Sequence, residues 1–488
     1  MKNPSIKKNF VMNIILKMTS FIFPLITMPY VSRVLQPVGT GKVSFATSVI
    51  SYFAMFAQLG IPTYGIRVCA EVRDNREELT RTAQELLIIN LIMNIFSYAA
   101  LAIALITVPR LREDRVLYIL MSATILLTSV GMEWLYQAME QYTYIAVRSL
   151  IFKFIALIAM FLFIHQKSDY VLYGAISIFA ASASNVFNFV YARHFISLKP
   201  IGHYNLRRHM KAVGIFFAMS IATTVYTQMD TTMIGFITSD AEVGYYNVAT
   251  KIKTVLLSVV TSLSTVLLPR ASYYVGKDDM EDFRRITSKA ISLVMDLSIP
   301  LMLYFIFFAS ETIALLSGPA YTKAVLPMQI IMPTIVLIGL TNIMGILVLV
   351  PLGRENQVLY SEIIGAIVNL IINSLLIPKM ASSGAAIGTV FAEFAVWIVQ
   401  YAVMADKFGT VYRRVSYWKI FLGCLLASFA SLWVKRLEFG VFAALIISAI
   451  IFFGVYCLVL AVTKEEIMTD VILPTVKNKI RRRRGKVK

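Results

Sequence analysis

Long apolar runs recur along this chain, separated by short polar stretches. A run of about 20 apolar residues spans the hydrocarbon core of a bilayer as a helix. The pattern predicts about fourteen such spans, at 10–30, 43–62, 86–108, 116–138, 148–164, 170–192, 213–237, 247–268, 290–312, 326–350, 361–377, 384–404, 420–434 and 439–462. Polar positions interrupt two of them with helical spacing. In the eighth, Asn247, Lys251, Thr254, Ser258, Thr261 and Thr265 fall at alternating steps of four and three, and so on one face. Subtracting 203 gives Ser44, Ser48, Ser51, Met55, Gln58 and Pro62 in the second span, polar at four of six places.

The segments before these stripes also correspond. Gly41-Lys-Val-Ser-Phe-Ala46-Thr47 aligns with Gly244-Tyr-Tyr-Asn-Val-Ala249-Thr250. One helix earlier, Ser20 pairs with Thr223, Pro24 with Thr227 and Thr27 with Asp230. The chain therefore reads as a duplication with polar faces turned inward. Six spans precede the basic loop Arg193 to Lys211 and six more end near Met404. Six is even, so both halves enter the membrane in the same sense, as parallel repeats. The expected organisation is an N-lobe at 1–212, a C-lobe at 213–408, and two appended helices with a basic tail at 409–488. The expected fold is an all-α integral membrane protein, two six-helix lobes around a central cavity plus two extra helices.

Composition agrees. The chain has 488 residues, 58% hydrophobic and 15% charged, against about 25% charged in soluble domains. The first apolar run is read as a span and not as a cleavable signal, since no small-residue cleavage site follows it. The net charge of +19 is explained by orientation. With the N-terminus in the cytoplasm, 32 of the 46 Lys and Arg fall in inner segments and 10 in outer loops, as the positive-inside rule requires. Both termini are expected in the cytoplasm. The run Arg481 to Lys488 reads as a tail for anionic headgroups, and no nucleic-acid role is expected. Loops at 67–85 and 270–289 mix both charges and are expected to form short surface helices.

Enzyme signals are absent: no phosphate-binding Gly-x-x-x-x-Gly-Lys-Ser/Thr loop, no metal-binding His/Glu helix and no Gly-x-Ser-x-Gly elbow. Three scattered cysteines make neither a disulfide frame nor a metal cage. His194, His203 and His209 share one basic loop and read as added polarity. Neither a metal nor a cofactor is expected.

Ionisable groups within spans cost about 2.5–3.5 kcal/mol at the centre, so they need water, a partner or a ligand. Lys17 shares a face with Asn13, Ser20, Pro24 and Thr27, and Lys251 belongs to the long stripe. With Ser48, Thr254 and Ser258 these are the expected cavity residues. Asp230 continues the face Ser220, Thr223, Thr227; Glu393 is the deepest acid; Asp296 lies about two turns inside the ninth span. These three are the candidates for ion coupling, against a structural reading in which each pairs with a lysine.

Three stretches carry a family resemblance. They are Val34-Leu-Gln-Pro-Val-Gly-Thr-Gly-Lys-Val-Ser-Phe-Ala-Thr-Ser-Val with Phe56-Ala-Gln-Leu-Gly-Ile-Pro-Thr-Tyr-Gly-Ile-Arg67, then Asp230-Thr-Thr-Met-Ile-Gly-Phe with Val243 to Ile252, and Gly384-Ala-Ala-Ile-Gly-Thr-Val-Phe-Ala-Glu393. Together they resemble bacterial polysaccharide flippases of the Wzx type, in the multidrug/oligosaccharidyl-lipid/polysaccharide exporter superfamily. The resemblance implies two six-helix lobes in a V shape with two extra helices. It implies a substrate of oligosaccharide on undecaprenyl pyrophosphate, turned from the inner to the outer leaflet of the bacterial cytoplasmic membrane for surface or capsular polysaccharide. It also implies cavity cations that meet the anionic headgroup, for which Lys17 and Lys251 match in kind. Glycosyltransferases and a polymerase of the same pathway would be partners. A cation-coupled drug or metabolite antiporter is the competing reading, and cavity charge separates the two. A membrane polymerase is disfavoured by the short outer loops.

Overall fold

The computed structural model describes residues 6–437 and 439–465, with some residues inside helices described by backbone alone. The elements are helices throughout. In order they are α1 Ile6–Gln58, α2 Ile61–Glu71, α3 Arg76–Thr107, α4 Pro109–Arg112, α5 Arg115–Gly131, α6 Glu133–Ala138, α7 Tyr142–Phe163, α8 Tyr170–Ile178 and α9 Ser184–Tyr191. There follow α10 Arg207–Ile237, α11 Asp240–Gly276, α12 Met280–Phe307, α13 Ala309–Leu316, α14 Val325–Ile331, α15 Thr334–Asn342, α16 Glu355–Phe408, α17 Tyr417–Leu432 and α18 Val441–Val462.

Among the described residues, ten helices are long and apolar enough to cross a membrane, or twelve if each of two bent pairs is one span. Two of these are double. Straight, the 53 residues of α1 would reach about 80 Å at 1.5 Å per residue, over twice the hydrocarbon core of about 30 Å. The helix breaks at Gln36 (φ 60°), beside Pro37. The 54-residue α16 breaks likewise at Ala381 (φ 48°), three residues past Pro378. Both breaks fall in loops that the hydrophobic pattern expects between spans. Divided there, and with each bent pair counted as one span, the described residues hold fourteen spans, the number expected. The protein is a multi-pass, all-α membrane protein.

The chain forms two compact units, one reaching Asn247 and the other starting at Val248. In the first, α3 shows how a membrane helix inverts the soluble pattern. Its outer face exposes Ile95, Phe96, Ile103 and Ile106, while Asn90, Asn94 and Ser97 are buried. Asn90 Nδ2 donates to the Ala57 carbonyl at 3.0 Å and Ser97 Oγ to the Phe53 carbonyl at 2.7 Å, tying α3 to α1. Buried polar groups in lipid need such partners. Asn75 caps α3 by accepting from the Glu77 and Glu78 amides at 3.1 and 3.2 Å, and those acids favour the helix N-terminus. Around Trp134, Tyr136, Leu86 and Cys69 the α2, α3 and α6 side chains form one core. Although the repeat places α10 at the start of the second lobe, it packs on α1 and α2 within the first unit.

In the second unit α12 is central, packing on α15, α17 and α18. Tyr304 Oη donates to the Leu445 carbonyl at 2.9 Å, and Phe308 and Phe452 close around its ring. The two charged loops differ from the expectation in one respect. Neither forms a helix of its own: the first is divided between the end of α2 and the start of α3, with Val72 to Asn75 between them, and the second is absorbed into extended α11 and α12, leaving only Lys277 to Asp279 between them. Asp279 starts the next helix at once by accepting from the Asp282 amide at 3.0 Å.

Candidate functional site

The second half of α1 and the middle of α10 lie side by side in the first unit, and a cavity of about 300 Å³ opens between them. From the α1–α2 side Ser51, Met55, Gln58 and Pro62 line it. These are four of the six positions that the duplicated stripe marks. From α10 come Ser220 and Thr227, on the face that continues to Asp230, with Thr224 and Gln228 beside them. No lining residue is charged. Ser51 Oγ donates to the Thr47 carbonyl at 2.7 Å and Thr227 Oγ1 to the Thr223 carbonyl at 2.9 Å. Their protons serve their own helices, so these hydroxyls offer lone pairs to a ligand. The carboxamides of Gln58 and Gln228 supply donors as well as acceptors. A neutral wall of acceptors and amides suits a ligand rich in hydroxyls.

Close helix contacts bound the cavity at both ends. At one end Thr232 Oγ1 donates to Ser48 Oγ at 3.0 Å. A turn further on, the Phe45 ring presses on the Gly235 backbone and meets Phe236 edge-on at 5.0 Å. Beyond that Arg110 of α4 pairs with Asp240, donates from Nε to the Gly235 carbonyl at 3.1 Å, and reaches Glu113 at 3.0 Å. Burial works against the Arg110 charge, but the two carboxylates outweigh it and hold the guanidinium above its usual pKa. Lys42 Nζ and Tyr170 Oη both donate to Asp114 Oδ1, at 2.9 and 2.7 Å. At the other end Phe56 and Phe217 meet edge to face at 5.5 Å. Gly60 (φ 71°) lies against the Phe216 backbone so closely that a Cβ would strike it.

The other expected residues have distinct places. Ser48 is 1% exposed and turned into the helix contact above. Asp230 is buried and accepts a hydrogen bond from Tyr246 Oη. The Lys17 side chain lies outside the described residues, as does the basic run 481–488. In the second unit Lys251 is half-buried on α11, Thr254 is exposed, and Ser258 is half-buried. Thr254 and Ser258 donate to the Thr250 and Val255 carbonyls of their own helix, at 2.8 and 2.6 Å. Glu393 is 5% exposed within α16, and Asp296 is 9% exposed on α12.

Sequence reasoning missed one assembly. His209 is not loop polarity but 1% exposed, bonded through Nε2 to Glu85 Oε2 and through Nδ1 to Tyr64 Oη, both at 2.8 Å. Glu85, fully buried, also accepts from Arg208 Nε at 2.8 Å and the Asn205 amide at 2.7 Å. Arg208 reaches on to Glu78 at 2.7 Å. This network pins the start of α10 to α2 and α3, at the phenylalanine end of the cavity. Arg110 and Gln228 were also missed, because neither lies on a recurring stripe.

Known proteins carry the same pattern. The polysaccharide biosynthesis protein family matches residues 6–275, and the MatE family matches 216–375. A protein of Escherichia coli (strain K12) described as an O-antigen transporter is 22% identical over 391 residues, 80% of this chain and 94% of that one. A low-salt glycan biosynthesis flippase of Haloferax volcanii is 25% identical over 215 residues, 44% of this chain and 45% of that one. Among solved structures, the lipid II flippase MurJ in an inward closed conformation superposes with TM-score 0.70 at 15% identity, covering 94% of this chain and 100% of MurJ. An inward-facing multidrug resistance transporter of the MATE family gives TM-score 0.60 at 14% identity, with 83% and 99% covered. The fold is that of these transporters, and with the match running over more than half its length the chain belongs to the polysaccharide biosynthesis protein family.

Proposed function

We propose that this protein is a flippase that carries a lipid-linked oligosaccharide from the inner to the outer leaflet by alternating access. The observation that carries the reading is the neutral, hydroxyl- and amide-lined cavity between α1 and α10, in a chain whose relatives include an O-antigen transporter and glycan flippases. The sugar portion would sit against Ser51, Thr227, Gln58 and Gln228. The headgroup would be a pyrophosphate on undecaprenol, met by Lys17 and Lys251, and the product would feed surface or capsular polysaccharide. The lobes would be 1–212 and 213–408, with both termini on the cytoplasmic side of a bacterial cytoplasmic membrane. The glycosyltransferases that build the substrate and the polymerase that consumes it would be partners. Asp230, Glu393 and Asp296 remain the candidates for coupling to an ion gradient.

A drug antiporter selecting organic cations wants acids on its cavity wall, and the lining here has none. The deciding experiment is reconstitution in vesicles with a labelled lipid-linked oligosaccharide in one leaflet. Transfer that falls in Gln228→Ala and Gln58→Ala, with no transport of cationic dyes, supports the flippase. Dye efflux without oligosaccharide transfer would replace it with the antiporter.

A further inference from the structure

The first unit also contains a buried polar site built from none of the helices that line the cavity. It lies where the fourth, fifth and sixth spans meet. The fourth span breaks at Met132 (φ 42°), between α5 and α6. The sixth is interrupted by a π-helical turn, Phe179–Ala183, between α8 and α9. Next to these two irregularities the chain segments are in close contact. A Cβ on Gly131 would strike the Asn185 carboxamide, and Tyr136 Oη donates to the Asn188 carbonyl. Arg148 of α7 closes the third side. Its Nη1 donates to the Ser184 carbonyl at 3.4 Å and its Nη2 to Glu133 Oε2 at 3.0 Å. Asn185, Asn188 and Arg148 are 5%, 0% and 7% exposed. Four of their polar atoms have no hydrogen-bond partner: Asn185 Oδ1, Asn188 Oδ1, Asn188 Nδ2 and Arg148 Nε.

A buried polar group left unpaired costs about 1–3 kcal/mol, and four around one joint call for a ligand. The donor set decides its chemistry. Asn185 Oδ1 and Asn188 Oδ1 accept, whereas Asn188 Nδ2 and Arg148 Nε donate. A metal cation would meet the Arg148 guanidinium. An anion would meet two amide oxygens and the Glu133 carboxylate. Water donates and accepts at once, and a buried water takes about two to four polar partners. The ion pair supplies a route for it. Glu133 is 39% exposed at its side chain and Arg148 7%, so the pair runs from the surface of the unit to the site.

We propose that Asn185, Asn188 and Arg148 form a site for ordered water, and that this water joins α9 to α7 beside the break in the fourth span. It completes the hydrogen bonding of both carboxamides and of the guanidinium, which the protein by itself leaves open. Gly131 has no side chain where the Asn185 carboxamide must stand to reach it. The site shares no residue with the cavity and does not depend on what the cavity carries.

Two measurements on the full chain in lipid nanodiscs test it. Both use hydroxyl radicals made from water by an X-ray pulse, with oxidation of each tyrosine located by mass spectrometry. Tyr136, at the site, and Tyr321, in the second unit, are both fully buried. Radicals arise where water is, so Tyr136 is expected to be oxidised severalfold faster than Tyr321. Equal rates overturn the proposal. Asn185→Leu/Asn188→Leu keeps size and removes the polar atoms, and Tyr136 must then fall to the rate of Tyr321. An unchanged rate overturns the proposal, and Asn188→Leu alone gives the same reading if the double variant fails to insert. The second measurement mixes the protein with heavy-oxygen water just before the pulse. The exposed Tyr273 is expected to take up the heavy isotope at once, and Tyr136 to take up the light one first, since held water exchanges slowly. Heavy oxygen entering both at the same rate means that bulk solvent reaches Tyr136 through opening of the unit, and overturns the proposal.

Discussion

Gly41 and Gly244, 203 residues apart in the chain, are packed reciprocally: a Cβ on Gly41 would strike the Asp240 carbonyl, and one on Gly244 the Pro37 carbonyl. Pro37 and Asp240 are separated by the same 203 residues. The repeat legible in the sequence is therefore also a local two-fold contact, with each half supplying one glycine and one carbonyl. Gln36, where α1 breaks, corresponds by the same offset to Ser239, between α10 and α11.

Either glycine should thus be intolerant of a side chain. Gly41→Ala and Gly244→Ala each push backbone against backbone, and overpacking of this kind costs about 1–3 kcal/mol. Thermal unfolding in detergent is expected to show both variants less stable than wild type. Gly214→Ala, where a Cβ has open space, is the control and should be neutral. Equal stability of all three would remove the contact from the account.

Arg110 and Asp240 hold the same end of the cavity by charge. Arg110→Asp and Asp240→Arg are each expected to cut oligosaccharide transfer, since each brings like charges together. The double exchange should recover much of the loss, because the pair is re-formed with its polarity reversed. A double variant no better than the worse single one would mean that the two residues act separately.

Glu85 satisfies three donors at once. Glu85→Ala strands the buried His209 donor and takes one partner from Arg208, which is exposed and keeps Glu78 and Thr82; an unsatisfied buried donor costs about 1–3 kcal/mol. The expected result is a fall in unfolding temperature. Glu78→Ala, whose ion pair is partly exposed, should cost far less.

The cavity wall carries no charge, and the proposed sugar site predicts that it must stay so. Gln228→Glu preserves size while adding a charge, and it is expected to lower transfer more than Gln228→Ala does. Lys251→Glu tests the headgroup separately: it should abolish transfer of pyrophosphate-linked substrate while leaving the protein inserted. Normal transfer in Lys251→Glu would confine substrate recognition to the neutral wall.

Much of this was legible in the sequence. The multi-pass, all-helical character follows from apolar run length, because a bilayer admits few backbone solutions. Ser51, Met55, Gln58, Pro62, Ser220 and Thr227 all lie on faces that helical spacing marks, and all line the cavity. Spacing identifies a face but not what stands opposite it. Ser48 shares the stripe with Ser51, yet it is sealed against Thr232, because α1 and α10 touch there and part only a turn later. His209 looked like one more polar residue in a basic loop, and its burial depends on Glu85 and Tyr64, each more than 120 residues away. Local pattern determined which elements form and which way they face. Which partners meet, and so which polar groups are sealed and which remain open to a ligand, was decided only by tertiary packing, since each contact joins surfaces from distant parts of the chain.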